Sequence, residues 1–482
     1  MPRPNRPKRV RRASPLQKYA RITAYFFLFM LPSDSDEPIL EPEDTLRAAS
    51  PSPAEMSQHA HSAAPHDAYA ALRFRDYRLY SLGGLLAALG GQMFSLAVGW
   101  ELYQRTRDVW TLGLVGLIQA LPVIFLALPA GDLADRFDRR RIVLWMEFFI
   151  ALGWLGFVFL SLARAPVSYY FALLFIDATL GAFAGPARSA LLPQLVPEAM
   201  LANAITWNAS RWQTAATLGP ALGGAAIAIF HGATMVYLLS ALCAFSLFAC
   251  LLPLRPRPHV RPKESESAWH RLLVGLRFVR GQKIILATIT LDLFAVFLGG
   301  AVTLLPAFAD EILKIGPAQL GWLRAAPAAG ALGMSLWLSL RPPMRRAGAS
   351  LLWCVIGFGI ATIVFALSRN FALSLLALAI TGALDNVSVV VRSTLLQVLT
   401  PPHMRGRVSA VNSVFVGSSN ELGGFESGAA ARLLGLVNSV VLGGIGTILV
   451  VLGVHFIWPQ VAKLGALDEL VPDESAEKST PE

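Results

Sequence analysis

The sequence predicts an all-α membrane protein in which twelve transmembrane helices form two pseudo-repeats of six. Three observations predict this fold class. The chain has 482 residues, of which 55% are hydrophobic and 15% charged, whereas a soluble domain carries about 25% charged residues. Twelve apolar runs reach the roughly 20 residues that a bilayer-spanning helix needs. A long charged segment and an internal repeat divide these runs into two sets of six.

Composition also excludes several classes of function. The three cysteines, Cys243, Cys250 and Cys354, lie in apolar runs and fit no metal-ligand spacing, so we expect no metal site. The sequence has no phosphate-binding loop, nucleophile elbow or zinc signature, so we expect no enzyme activity, cofactor or ATP-driven motor. The net charge of +10 comes from basic residues in short loops between apolar runs. Orientation in a bilayer explains that distribution better than a nucleic-acid partner does.

The chain begins with a stretch that cannot bury a core. Residues 1–67 are rich in Pro, Ser, Ala and charge, a composition typical of disorder, and we expect a cytoplasmic tail. One apolar island, Tyr25–Pro32, is too short to span a bilayer and has no convincing signal-peptide cleavage site. It is either an interfacial anchor or the product of a start codon placed upstream of a true start at Met56, and we favour the second interpretation.

The predicted spans follow this tail. They lie at roughly 79–101, 110–130, 142–163, 168–190, 206–229, 233–252, 284–305, 318–340, 350–368, 371–395, 409–430 and 434–457. The domains expected from them are a first half at 68–252, a linker at 253–283, a second half at 284–457 and a cytoplasmic tail at 458–482. The linker is Pro-rich and charged at its start. Its end, Ala268–Gln282, has the apolar spacing of an amphipathic helix lying on the inner membrane surface.

The most informative loop is Gly131–Arg141, with the sequence GDLADRFDRRR. It follows a charge-free run from Thr111 to Ala130 and precedes another apolar run, so it must be a water-exposed turn between spans two and three. Loops on the side of this turn carry 17 Lys and Arg, and loops on the other side carry about six. The positive-inside rule therefore predicts that the turn and both termini are cytoplasmic.

An internal repeat supports the division into two halves. Residues 188–226 align without a gap on residues 392–430, and 13 of the 39 positions are identical. The shared Leu, Ala and Gly are common in apolar sequence, but the shared Arg-Ser, Pro, Met and Asn are not. Parallel repeats of this kind place a substrate site between the two halves near the bilayer midplane.

The turn resembles the signature loop of the major facilitator superfamily, G-x-L-A-D-R-x-G-R-R-R. The one departure is Asp138, where the family pattern has glycine; Asp tolerates a left-handed backbone better than most residues, so the turn can survive. The resemblance implies the major facilitator fold and a bistable cytoplasmic gate. In that gate Asp135 would start or cap a helix and pair with arginines of a neighbouring loop. The gating residues would be Gly131, Asp135, Arg136, Arg139 and Arg140.

Span five contains LGPALGG, Leu218–Gly224, which resembles the antiporter motif G-P-x-x-G-G of proton-coupled exporters in the same superfamily. Proline removes a backbone hydrogen bond and glycines let a neighbouring helix approach closely, so such a helix can bend and reseal. The alternative is generic close packing, since Gly and Pro are common in membrane helices. The motif residues are Gly219, Pro220, Gly223 and Gly224.

Ionisable residues inside spans are costly and mark functional positions by default. Six are candidates for a proton or substrate pathway: Asp177 in span four, Arg211 in span five, Asp292 in span seven, Asp385 in span ten, and Glu421 and Glu426 in span eleven. By sequence, Asp177 and Asp385 are the most central, whereas Asp292 is close enough to the start of its span to lie near the membrane surface.

Sequence context gives expectations for five of the charged residues in or near the spans. The two glutamates flank a glycine pair, so we expect them to face a water-filled vestibule. Arg188 and Arg392, close to the cytoplasmic ends of their spans, would be snorkelling anchors. Drug/proton antiporters of the superfamily carry an arginine at the position that aligns with Asp177 here, so their proton relay cannot be transferred to this chain.

Three segments resemble the enterobactin-exporter branch of the superfamily: Ala71–Met93, Gly185–Ala204 and Thr394–Gly435. The resemblance implies a monomeric multi-pass transporter of the bacterial inner membrane that uses alternating access. Its partners would be protons, the lipid bilayer and a small-molecule substrate, and its function the proton-coupled export of a siderophore-like or other amphipathic molecule. The alternatives are a multidrug efflux transporter and a non-transporting membrane sensor on the same fold.

Overall fold

The computed structural model describes residues 67–257, 268–341 and 344–466. Residues 1–66, with the Tyr25–Pro32 island, lie outside this part of the chain. Its twelve long helices are α1 Arg75–Thr106, α2 Val109–Arg136, α3 Arg139–Leu162, α4 Val167–Leu195, α5 Leu201–Phe230, α6 Thr234–Leu251, α7 Lys283–Leu298, α8 Pro317–Ser339, α9 Ala347–Leu367, α10 Phe371–Leu399, α11 Arg405–Leu434 and α12 Leu436–Ile457. They confirm the predicted all-α class and the twelve spans.

Ten helices in the described residues are long and apolar enough to cross a membrane. The two that fall short are α8 and α11, which carry Arg324, Glu421 and Glu426. Both lie against the other half of the molecule, α8 on α5 and α11 on α2. Their polar residues therefore need not face lipid, which explains why the two helices are less apolar.

The internal repeat is visible in the helix bounds and in the packing. Helices α4 and α10, and likewise α5 and α11, begin and end 204 residues apart. Within the first half (α1–α6), α1 packs on α5 and α6, α2 on α4, and α3 on α4 and α6. The second half (α7–α12) repeats each contact six helices later, with α7 on α11 and α12, α8 on α10, and α9 on α10 and α12. The predicted two pseudo-repeats are confirmed.

The two halves meet along α2 with α11 and α5 with α8, and both contacts depend on glycine. A Cβ atom on Gly428 would lie 2.4 Å from the Cα of Gly113, and one on Gly224 would lie 2.8 Å from the Cα of Gly321. All four glycines lie near the helix ends remote from the Gly131–Arg141 turn. We call the end of the molecule with that turn the basic end, and the other the opposite end. The halves are therefore in closest contact at the opposite end.

Helix α7 differs from the single continuous span that the sequence predicts. It ends at Leu298, and Gly299 and Gly300 interrupt it before a 3₁₀ turn at Ala301–Leu304 and a π turn at Phe308–Ile312. A Cβ on Gly299 would lie 2.6 Å from the ring of Phe358, so the chain passes its neighbour at a distance that only glycine allows. Non-helical backbone at membrane depth is tolerated where it lines a cavity.

Large apolar side chains on the outside mark the surface that faces lipid. Trp145 and Phe159 of α3 and Trp353 and Ile360 of α9 are all more than half exposed. An exposed apolar surface of this extent is typical of a membrane-facing belt. It leaves the polar residues of the spans to the interior.

The linker helix, Ala268–Gly281, buries one of its faces against the protein. It packs on α11 and α7, with Val279 only 2% exposed. A Cβ on Gly275 would lie 2.7 Å from the carbonyl oxygen of Arg407. One face of the helix therefore lies on the basic ends of α7 and α11, whereas Leu273 and Leu276 are 44% and 41% exposed. Its position on the inner membrane surface stays a prediction.

The segment after α12 also differs from the tail expected at 458–482. A short helix, Pro459–Ala462, buries Val461 completely against the second half. The backbone amide of Ala347 donates to the carbonyl of Gly465 at 3.1 Å. Residues 459–465 therefore belong to the packed second half, and residues 467–482 lie outside the described part of the chain.

Candidate functional site

A cavity lies between the two halves and consists of three adjoining chambers. The vestibule has a volume of about 800 Å³ and extends to the basic end, where Gly131, Leu272 and Arg407 line it. The central chamber of about 490 Å³ and the first-half chamber of about 540 Å³ lie deeper. Gln119 borders all three. The arrangement gives a small molecule one route from the basic end to the middle of the protein.

The walls of the chambers differ in chemistry. The vestibule is mostly apolar, with Val123, Ala127 and Val414 among its lining residues. The central chamber combines the broken backbone at Gly299–Gly300 with polar and charged side chains, among them Thr381, Asp385, Asn420, Glu421 and Arg324. Apolar walls with a few convergent polar groups are typical of small-molecule sites.

The first-half chamber carries most of the first half's interior charge. Glu147, Asp177, Arg188 and Arg211 line it, together with Arg324 from the second half. The indole nitrogen of Trp154 donates to the carboxylate of Asp177 at 2.8 Å. Arg188 forms an ion pair with Glu147, whose side chain is 1% exposed. These contacts fix the two acids in the chamber wall.

Four of the six predicted pathway residues line the chambers, and two do not. Asp177, Arg211, Asp385 and Glu421 all border this cavity. Glu426 lies on a different side of α11, outside the three chambers, so the expectation that both glutamates face a vestibule holds for one of them. The reason is helical geometry, because five residues along a helix rotate a side chain well away from its starting face.

Asp292 also lies outside the chambers. It forms a buried ion pair with Arg392, in which the two side chains are 7% and 8% exposed. Its expected depth near the membrane surface stays a prediction. The snorkelling expectation for Arg188 and Arg392 is wrong, since each arginine pairs with a buried acid. Buried charges need such partners, which a linear reading of span ends does not reveal.

Sequence reasoning missed Glu101, Glu147 and Arg324, which the structure places in the interior. Glu101 is 6% exposed and accepts hydrogen bonds from Arg105, Ser161 and Tyr170. The three residues carried a usable signal, since each lies within or at the edge of a predicted apolar run.

In the signature turn, arginines bind the ends of neighbouring helices in the first half. Arg139 donates to the carbonyl of Ala190 on α4 at 3.2 Å, and Arg140 to the carbonyl of Leu251 on α6 at 3.0 Å. The contact of Arg140 satisfies a carbonyl that the end of α6 leaves free. The turn is thereby fixed to the first half.

Two details of the turn correct the sequence interpretation. Asp135 does not start a helix; it lies in the last turn of α2, with a carboxylate oxygen 3.8 Å from Arg139. The cap is Asp138, which accepts from the amides of Arg140 and Arg141 at 2.9 and 3.3 Å. Its φ of −60° is not left-handed. Asp is accommodated in place of the family's glycine because its carboxylate caps α3.

The LGPALGG segment packs α5 tightly against two helices. A Cβ on Gly219 would lie 2.5 Å from the Cβ of Gln92 on α1, and one on Gly223 would lie 3.1 Å from the Cα of Met93. Gly224 meets α8, as described above. Pro220 lies within α5, and its carbonyl would be 2.5 Å from a Cβ on Gly321. The segment therefore sits where the first half contacts the second.

Polar contacts between the halves close the cavity at the opposite end. Arg107 at the end of α1 pairs with Asp310 of the π turn, and the hydroxyl of Tyr103 donates to Glu311. Arg432 at the end of α11 lies 3.9 Å from Asp108 at the start of α2. The cavity is therefore accessible from the basic end and blocked at the other.

A family model described as "Transmembrane secretion effector" matches residues 66–477. The chain belongs to this family of the major facilitator superfamily. Enterobactin exporter EntS of Salmonella choleraesuis (strain SC-B67) is 26% identical to it over 381 residues, covering 78% of this chain and 90% of that protein. EntS of Escherichia coli O81 (strain ED1a) is also 26% identical over 381 residues, covering 78% and 89%.

Solved structures give the same fold. A bacterial homologue of the human lysosomal transporter Spinster, inward-facing and unoccupied, has a TM-score of 0.64 at 15% identity, covering 81% of this chain and 98% of that one. A bacterial homologue of the iron transporter ferroportin, in its inward-facing state, has 0.60 at 17% identity, covering 81% and 99%. The nucleoside transporter NupG has 0.62 at 12% identity, covering 80% and 99%.

These findings confirm the predicted superfamily, its enterobactin-exporter-like branch and the fold. The proteins of this superfamily are transporters, so the chain is a multi-pass secondary transporter of a small molecule and not an enzyme.

Proposed function

We propose that the protein exports a small amphipathic, siderophore-like molecule from the cytoplasm across the bacterial inner membrane, as a monomer. The observation that carries this proposal is the cavity between the halves, which extends to the basic end and is closed at the opposite end. Alternating access needs such a cavity to open on one side at a time. The enterobactin exporters among the relatives support cargo of the siderophore type.

In this proposal the basic end faces the cytoplasm and both termini are cytoplasmic. The excess of Lys and Arg in the loops of that end supports this orientation. The test uses Phe137→Cys and Lys314→Cys in a cysteine-free background. An impermeant thiol reagent should label intact cells only at 314. Labelling at 137 in intact cells would show that the basic end faces outward. The open side of the cavity would then face away from the cytoplasm, which contradicts export.

The signature turn acts as the gate at the cytoplasmic end. Arg139 and Arg140 hold the turn to α4 and α6, so it moves as one piece with the first half when the vestibule closes. We expect Asp135→Asn and Arg136→Ala to lower transport by about tenfold, equivalent to 1.4 kcal/mol, while membrane insertion stays normal. Full transport in both variants would mean that the turn only determines the orientation of the protein in the membrane.

Export is driven by protons that enter as cargo leaves. Asp177 and Asp385 are the acids best placed for coupling, because both lie mid-span on chamber walls that cargo and water reach. Each charge that crosses the membrane contributes about 2.3 kcal/mol per 100 mV. An acid that exchanges its proton when cargo binds converts that energy into accumulation.

Substrate flux in proteoliposomes, with and without an imposed pH gradient, tests this coupling. We expect Asp177→Asn or Asp385→Asn to abolish accumulation against a gradient and to spare downhill exchange, since exchange needs no net proton movement. Glu426→Gln, outside the chambers, is the matched control. Accumulation at the wild-type level in both aspartate variants would remove these acids from the coupling site.

A multidrug exporter is the second candidate, and the apolar vestibule favours it. Side chains such as Val123, Leu128 and Val414 offer broad contact to many amphipathic molecules. Competition by unrelated lipophilic cations against siderophore transport would support this candidate. A wild-type protein that moves no substrate, with or without a gradient, would favour a membrane sensor.

A further inference from the structure

Arg324 of α8 is an interior cation for which the described residues provide no carboxylate within ion-pair distance. Its Nη2 donates to the hydroxyl of Ser95 at 3.0 Å, and its Nη1 to the carbonyl of Val302 at 3.5 Å. A guanidinium has five N–H donors, so these contacts leave most of its donor capacity unused. The groups that contact the guanidinium are neutral, and the carboxylate of Glu421, which lines the same chamber, interacts with its charge from beyond ion-pair distance.

Other interior arginines are more fully engaged. Arg105, Arg188 and Arg392 form ion pairs with Glu101, Glu147 and Asp292. Arg211 donates to Asn208, and its guanidinium lies 5.2 Å from the centre of the Tyr80 ring. A charge within a membrane protein is costly unless a partner compensates it. Arg324 therefore stands out as a cation available to an anionic ligand.

The position of Arg324 suits a cargo-binding residue. It borders both the central and the first-half chambers, and it belongs to the second half while its partner Ser95 belongs to the first. Gly321, one turn earlier on α8, is in close contact with Gly224 of α5. A ligand held by Arg324 would thus touch both halves next to the contact that must open during transport.

Two acids restrict where a negative group can bind. Asp385 and Glu421 line the central chamber with Arg324, and both repel an anion. The first-half chamber is more positive, because three arginines line it against two acids, Glu147 and Asp177. Of these acids, Glu147 is paired with Arg188. A negative group is therefore directed to the side of Arg324 that faces the first-half chamber.

We propose that Arg324 binds a negatively charged group of the cargo, a carboxylate or a phenolate, and that it selects anionic amphipathic molecules. Guanidinium matches a carboxylate with two parallel hydrogen bonds. The apolar part of the cargo occupies the vestibule. This inference rests on the proposed export function and assigns the charge of its cargo.

Binding to purified protein in nanodiscs tests the inference, because it needs neither a gradient nor transport. The probes are 2,3-dihydroxybenzoate and its methyl ester, which differ in one negative charge. We expect wild-type protein to bind the acid about tenfold more tightly than the ester. Arg324→Gln should abolish that preference and leave ester binding within about twofold, and Arg324→Lys should keep part of it.

Arg211→Gln is the matched control, since Arg211 lines the same chamber but is covered by Asn208 and Tyr80. It should retain the preference for the acid. An unchanged preference in Arg324→Gln, its loss in Arg211→Gln alone, or equal binding of acid and ester by the wild type would each overturn the inference. If Arg324→Gln does not fold, Arg324→Lys decides. Intact acid binding without export would count against the proposed function and not against Arg324.

Discussion

Arg188 on α4 and Arg392 on α10 occupy matching positions in the two halves, 204 residues apart, and differ in their surroundings. Arg188 pairs with Glu147 of α3, and its side chain is 38% exposed to the first-half chamber. Arg392 pairs with Asp292 of α7, and both side chains are almost completely buried. The repeat has kept the arginine but takes the acid from a different helix in each half.

The two equivalent arginines therefore form ion pairs with different roles. The sealed pair Arg392–Asp292 has no access to cargo, so its role is to join α10 and α7. The open pair Arg188–Glu147 borders a chamber and can respond to what enters it. A third set of charges, Arg107 with Asp310 and Arg432 with Asp108, lies between the halves and is largely exposed. The exposure of the paired side chains thus increases from the pair that stabilises one half to the pairs that control access to the cavity.

Breaking the sealed pair should have the largest effect. Arg392→Ala leaves Asp292 as an uncompensated buried charge, which costs about 3–5 kcal/mol. We expect a large fall in thermal stability and in the yield of folded protein, measured by fluorescence-detected size exclusion in detergent. The double variant Arg392→Met with Asp292→Leu should recover most of the stability. Near-wild-type stability of Arg392→Ala would show that the pair is not structural.

Breaking the open pair should affect transport more than stability. In Arg188→Gln, Glu147 loses its cation, but water in the first-half chamber can solvate the side that Arg188 exposes. We expect flux in proteoliposomes to fall by about tenfold, with thermal stability closer to the wild type than that of the corresponding Arg392→Gln. Equal stability losses in the two variants would mean that the open pair is structural too.

The sequence predicted the fold almost completely and the site only in part. Apolar runs and the repeat are local patterns, and they gave twelve helices and two halves that the structure confirms. The break in α7 could not be predicted, because the glycine pairs Gly90–Gly91 and Gly223–Gly224 lie in unbroken helices. What distinguishes Gly299 is the nearby ring of Phe358, which is a tertiary contact.

The same reason explains the errors about charge. Asp292 and Arg392 lie on α7 and α10, and Glu147 and Arg188 on α3 and α4, so each pair depends on which helix faces which. Four of six predicted pathway residues line the chambers because spacing along a span indicates depth in the membrane. Spacing does not indicate the partner across a helix interface, so the two pairs of arginine and acid were not predicted.

Weakening the exposed contacts between the halves should have the smallest effect. The side chains of Arg107 and Asp310 are 56% and 29% exposed, and a pair of this kind contributes about 0.2–1 kcal/mol. Arg107→Ala should therefore shift the balance toward the state open at the opposite end by at most about fivefold. The measurement is the rate at which Gln119→Cys, on the wall shared by the three chambers, reacts with a thiol reagent supplied from that end.

Arg369→Ala, an exposed cation at the start of α10, is the control and should leave the rate unchanged. A rate increase well above fivefold would show that the contact between Arg107 and Asp310 is the main barrier at the opposite end, and that the glycine contacts of α2 with α11 and α5 with α8 contribute little.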